Sequence, residues 1–198
     1  MLSPATIVRL INAERYGQLL EAFGANGQYL PPTLHAHLLH SPAAMVALAL
    51  RRVVELSRGP SHAREQLTQM LLASQLEDGS FDADPLATAY AVSALGSLIH
   101  NGQGVDPQVE DAHDRAVEAM KGLQAQDGLF MDVQHISADR QTESSCILHL
   151  LARDTQAWAK LGLTRLLGWF DAHQSMLDRD STRFIRMAKA SLPRSMAA

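Results

Sequence analysis

With 198 residues, of which 46% are apolar and 19% charged, the chain can bury roughly 70% of its unfolded surface, so its core requires neither disulfide nor metal. A formal charge of −4 argues against a general nucleic-acid binder, which would normally show a basic face. The single cysteine, Cys146, excludes an intrachain disulfide, and the longest apolar run, Ala43 to Leu50, is too short to cross a bilayer. Met1-Leu2-Ser3-Pro4 has neither the charged nor the long apolar region of a secretory signal, and the expectation is a cytoplasmic protein.

Aromatic residues make up only 5%, while Ala, Leu, Gln and Arg are plentiful, so the composition leans to helix. A phrase recurs along the chain. Gln75-Leu76-Glu77-Asp78-Gly79-Ser80-Phe81 returns as Gln124-Ala125-Gln126-Asp127-Gly128-Leu129-Phe130. Ala25-Asn26-Gly27-Gln28-Tyr29 is an earlier echo, and a decayed copy begins at Gln174. A period of about fifty residues with a turn signal at each node marks an array of helical units.

The first unit, about 4–57, predicts a helix from Pro4 to Ala22, a turn at Asn26-Gly27, and a helix from Pro42 to Leu56 opened by Ser41-Pro42. The second, 61–100, predicts a helix from His62 to Ser74 with Leu67, Met70, Leu71 and Leu72 on one face. Asp78-Gly79 breaks it. Asp84-Pro85 then opens a helix through Leu98, with Asp84 as N-cap and Pro85 at the first position, where its missing N–H costs nothing. The third unit, 107–152, reads Pro107 to Gln124, a turn at Asp127-Gly128, and Thr142 to Leu151. The fourth, 155–192, reads Trp158 to His173 and Ser181 to Leu192. No stretch alternates in the manner of a strand. The whole is expected to be one all-α domain of eight helices in four hairpins.

Helices before each Gly turn carry charge, as at Asp111, Asp114, Arg115 and Glu118; those after it are small and apolar on most sides, as in Ala43 to Leu50. A helix apolar nearly all round belongs inside, so an outer amphipathic layer around an inner buried one is expected.

Gln-x-x-Asp-Gly-x-Phe followed by Asp84-Pro-Leu-Ala-Thr-Ala-Tyr-Ala-Val-Ser-Ala-Leu95 resembles the repeat of the α/α-toroid superfamily. That group holds terpenoid cyclases, protein prenyltransferase β subunits and non-catalytic binding relatives. The resemblance implies a partial toroid, truncated because closed members use more hairpins than the four read here. It also directs attention to the cavity-facing candidates Tyr90, Asp82 and Asp84. The acid run of the cyclases departs here: Asp82-Ala83-Asp84-Pro85 has proline at its last carboxylate. Asp-rich magnesium clusters, the prenyltransferase zinc-ligand pattern and the thioester motif are missing as well. Carbocation chemistry also wants aromatic lining, and Tyr90 stands nearly alone on the inner helices.

Three further groups stand out. Glu143, Cys146 and His149 share one helical face, readable as carboxylate, thiol and base facing a cavity, or as a small buried hydrophobe and a satisfied core histidine. His35, His37, His40 and His135 lie in the two long inter-helix segments; loops emerging at one end would make them a zinc site, otherwise they are solvated loop residues. Arg179, Arg183, Arg186 and Lys189 on the last helix read as a docking face for an acidic partner, or as a solvated helix terminus. The expected function is a non-catalytic binding or scaffold protein without cofactor. It would engage a partner protein, a peptide or a small apolar ligand through its concave face or loop-bearing end, as a homo-oligomer or in a complex that covers raw apolar edges. The alternative is a terpenoid- or prenyl-type enzyme, or a histidine-dependent metal enzyme, on the same frame.

Overall fold

The structure is a computed structural model, described for residues 2–25, 30–57, 59–101, 106–125, 128–130 and 140–193. Among these residues it is all-helical: α1 (Pro4–Asn12), α2 (Tyr16–Ala25), α3 (Pro32–Leu39), α4 (Pro42–Leu56), α5 (His62–Ala73), α6 (Pro85–Asn101), α7 (Pro107–Gly122), α8 (Arg140–Leu151), α9 (Thr155–Lys160), α10 (Leu163–Ala172) and α11 (Arg179–Ser191), with one 3₁₀ turn at Gln174–Met176. No helix of the described residues is long and apolar enough to cross a membrane.

Serine and aspartate caps, several of them followed by proline, open most of the helices. The Ser41 hydroxyl accepts from the Ala44 N–H at 3.3 Å, and the Asp84 carboxylate from the Ala87 N–H at 2.6 Å. Asp106 accepts from the Gln108 N–H at 2.9 Å and Asp178 from the Ser181 N–H at 2.6 Å. Each cap satisfies one of the donors that a helix start leaves without an intrahelical partner.

Two helices expected to be continuous are divided. The stretch 4–22 breaks after Asn12, where Glu14 sits at φ +52° and the Arg15 N–H returns to the Leu10 carbonyl at 2.9 Å. That is a left-handed helix stop built without its usual glycine, so it left no mark in the sequence. The stretch 158–173 breaks at Gly162, φ +59°, a signal that was present. A further helix, α3, occupies the segment holding His35 and His37.

The described residues of the two copies of the recurring phrase make the same contacts. The Gln75 side-chain amide donates to the Gly79 carbonyl at 3.0 Å, and Gln124 to Gly128 at 2.8 Å. The Leu76 N–H bonds the Ser80 carbonyl as the Ala125 N–H bonds that of Leu129, at 2.9 and 2.8 Å. Gly79 and Gly128 hold φ +87° and +89°, a region that favours glycine. Phe81 and Phe130 are both fully buried, and each donates its N–H to a hydroxyl on the following helix, Thr88 and Ser144, at 3.0 Å.

The core runs through α4, α6 and α8. In chain order α4 packs on α6, α6 on α8 and α8 on α11; α5 covers α4, α7 covers α6, and α9 and α10 lie against α8. Ala43 to Leu50 and Leu86 to Leu95 are buried without interruption. Ala and Gly along α6 keep its neighbours close, and dispersion then acts over many atom pairs. The buried polar start of α8 is satisfied: Thr142 donates to Asp178 at 2.8 Å and Ser145 to the Thr142 carbonyl at 2.8 Å. Among the described residues the exposed large hydrophobics are Leu39, Leu76 and Met176. None lies on α1 or α11, so the raw apolar edges expected of an open arc are not visible at those helices.

Candidate functional site

The expected site residues fall into three places along the buried helices. At the N-terminal end, Asp82 and Ala83 hold φ +53° and +51°, an unusual pair for residues with a Cβ. The contorted turn sends Asp82 Oδ2 to the start of α4, where it accepts from the Ser41 hydroxyl at 2.6 Å and the Ala43 N–H at 3.2 Å. Asp84 Oδ1 accepts from its own helix and lies 3.0 Å from His37 Nε2. Both carboxylates thus act as joints between successive units.

His37 is the member of the histidine group that reaches a described carboxylate. His35 is half-buried on α3 and His40 is exposed at its end. No three His, Cys, Asp or Glu side chains among the described residues are grouped so as to hold a metal. His135 lies outside the described residues.

Midway along, the Tyr90 hydroxyl donates to the Cys146 sulfur within the core. Burial pushes the Cys146 thiol up to about 12, outweighing that hydrogen bond, and raises the Tyr90 phenol well above its ordinary value. A thiol held protonated is a poor nucleophile. Glu143 is buried one turn away. His149, expected to share their role, faces elsewhere.

His149 lines a cavity of about 620 Å³ at the C-terminal end of α4, α6 and α8. The wall is stitched by one serine: Arg51 Nη1 donates to Ser93 Oγ at 3.1 Å, and Ser93 donates to the Leu150 carbonyl at 3.0 Å. Arg153, just past α8, and Ser191, closing α11, complete the rim. His100 Nδ1–H donates to the Gly96 carbonyl at 2.6 Å.

One lining residue, Asp154, belongs to a buried pair. His113 Nε2–H donates to Asp154 Oδ2 at 2.7 Å, with side chains 2% and 6% exposed. Asp154 Oδ1 accepts from the Ala157 N–H at 2.9 Å, capping α9. Burial alone would raise the Asp154 carboxyl; the His113 and Ala157 hydrogen bonds, with the neighbouring imidazoles, hold it below its ordinary value. Gly96 makes room for the pair, since a Cβ there would sit 2.6 Å from Asp154 Oδ2.

The His149 ring stacks on Phe184 with centroids 6.1 Å apart, and its Nδ1 is buried with no hydrogen-bond partner among the described residues. Burial first, then the Arg51 and Arg153 charges, brings His149 down from 6.5 to about 4. Its folded value lies below its unfolded one, so between these limits the unfolded chain takes up a proton that the folded chain refuses. Stability is therefore expected to fall as pH drops through this window, by about 3 kcal/mol, and His149→Gln should remove that part of the acid sensitivity. Denaturant titrations of both proteins near neutral pH and in mid-window check it; an unchanged difference between them at the two pH values would refute a buried neutral ring. Asp78, Asp114, Asp154 and Asp178 all sit below the ordinary 3.8, so their losses come only at lower pH.

Arg179, Arg183, Arg186 and Lys189 are exposed on α11. Lys189 pairs with Asp171 at 2.6 Å, and with Arg186 it rims a second, shallower hollow of about 310 Å³ floored by Phe170, Leu177 and Ile185. Sequence reasoning reached only His149 among the polar groups of the larger cavity. Arg51 is on α4, Ser93 on α6 and Arg153 just past α8, and no short motif joins them. No protein-family model, curated protein or solved structure matches this chain, so the site rests on its own residues and geometry.

Proposed function

We propose that this chain is a non-catalytic binding protein of α/α-toroid type, built of four helical hairpins, which seats a small molecule in the cavity at the C-terminal end of α4, α6 and α8. The observation that carries this reading is a polar cavity of about 620 Å³ opening between three otherwise apolar helices. That volume is in the range of small-molecule sites. Folding gains nothing from leaving such a space, since a filled apolar seam would bind the helices more tightly.

The matching turns at 75–81 and 124–130, and the packing of α4, α6 and α8 side by side, support the repeat and toroid part of the proposal. The engagement of Asp82 and Asp84 in joints between units favours binding over proton-transfer chemistry. The polar groups of the lining favour a polar ligand over the small apolar one that the sequence suggested.

The test is occlusion. Ser191→Trp places a large side chain on the partly exposed rim, where the fold tolerates it. Native mass spectrometry of the wild-type protein, and thermal shifts against a panel of small metabolites, should identify compounds that bind wild type and fail to bind the variant. A panel in which no compound separates the two proteins would overturn the proposal.

A further inference from the structure

We infer that the cavity is built for an oxyanion, a carboxylate or phosphate group held between Arg51 and Arg153 and receiving a hydrogen bond from His149 Nε2–H. This deepens the proposed function and rests on it.

The inference comes from which polar groups around the cavity are already committed. Both oxygens of Asp154 are used, by His113 and by the Ala157 N–H. Glu55 is held by Arg52 at 2.9 Å and lies 3.6 Å from Arg51. Ser93 both donates and accepts within the wall. The acceptors that line the space are thus largely spent on the protein itself. The donors are not. Arg153 has no carboxylate partner among the described residues, and the Arg51 guanidinium, with five N–H groups, uses one on Ser93 and its Nε on the long contact to Glu55.

His149 adds a donor, and its tautomer follows from its surroundings. Nδ1 is sealed away with no acceptor near it, so a proton there would be a buried donor left unmade. The neutral ring avoids that cost by carrying its proton on Nε2, the other ring nitrogen of a side chain that lines the cavity. Two fixed cations and one neutral donor then converge on a space with few free acceptors. A ligand rich in acceptors and negative in charge completes that set, because charge-assisted hydrogen bonds from guanidinium to oxyanion are the strongest of this kind.

The Glu55 and Asp154 carboxylates also line this space, the first paired with Arg52 and Arg51 and the second with His113, and a further effect opposes the assignment. The C-termini of α4, α6 and α8 face this end, each carrying about half a negative charge in the last turn. That field accounts for one arginine near a helix end as a stabilising partner. Arg153, just past the end of α8, nonetheless acts with Arg51 to disfavour the charged form of His149, so both positive charges bear on the same ring. Full guanidinium charges at short range outweigh partial charges spread over a helix turn.

The experiment is titration calorimetry of the full chain, at fixed ionic strength, with inorganic phosphate in one arm and succinate in the other, and sodium chloride as the control for screening. Saturable binding of at least one probe is expected, and the tighter arm identifies the group. Arg153→Gln, whose side chain is exposed, should keep the fold by circular dichroism and bind that probe roughly tenfold more weakly or worse. Arg153→Lys should recover part of the loss, and His149→Leu should lose affinity that His149→Gln retains. No saturable heat from either probe, or equal affinity in Arg153→Gln, overturns the oxyanion assignment. If Ser191→Trp excludes only neutral or cationic compounds, the binding-protein reading stands and this one falls.

Discussion

Replacing Asp154 by alanine is expected to lower the stability of the fold by about 3 kcal/mol or more, the largest loss for any single polar side chain here. Two effects combine. The His113 Nε2–H, on a side chain 2% exposed, loses its acceptor. At the same time α9 loses its N-cap at the Ala157 N–H, a change that alone costs about 1 kcal/mol. Asp154→Asn, which keeps an acceptor oxygen and the shape, should recover part of the loss. The double variant His113→Leu/Asp154→Ala should cost less than the sum of the single changes, because no buried donor then remains. Equilibrium denaturation of the four proteins gives the coupling directly. Additive losses would show that the two side chains do not depend on each other. The pair joins the α8–α9 corner to α7, across the space that Gly96 leaves open, so the same variants should also loosen the wall of the cavity.

Gly79→Val should cost about 3 kcal/mol or more, whereas Gly128→Ala should cost only about 1–2 kcal/mol. Both glycines hold nearly the same positive φ, and the conformational penalty is common to them. They differ in what lies outside the turn. A Cβ on Gly79 would meet the Arg115 carbonyl oxygen at 2.6 Å and its carbon at 2.9 Å, both backbone atoms of α7 that cannot swing aside. On Gly128 the nearest atom is the end of the Gln124 side chain at 3.9 Å. The first turn is also tied to α7 by the Gln75 amide, which donates to the Ala112 carbonyl at 2.8 Å as well as to Gly79. Thermal melts of Gly79→Ala and Gly128→Ala make the cleanest comparison, since the side chain added is the same. Equal losses would mean that the turn at Gly79 does not bear on α7.

What could be read in advance, and what could not, divides by range. Ser41-Pro42, Asp84-Pro85 and Asp106-Pro107 announced helix starts because capping is settled within three residues of the chain. The Gln-x-x-Asp-Gly-x-Phe phrase announced its turn because amide, carbonyl and glycine lie within one loop. The stop after Asn12 went unread since Glu14 occupies a left-handed position that a sequence usually signals by glycine. His149 was noticed beside Cys146 on one helix and assigned to the same face, yet one side chain pairs with Tyr90 in the core while the other opens on the cavity.

The amino-acid order by itself determined that the chain is helical, where most of its helices begin, and which of them carry enough small and apolar side chains to be buried. Each follows from local backbone energetics or from periodicity along one helix. Only the tertiary structure decided that Arg51, Ser93, His149 and Arg153 share one cavity, and that His113 meets the Asp154 that also lines it. These contacts join separate helices, and their partners are chosen by how the helices pack rather than by spacing along the chain.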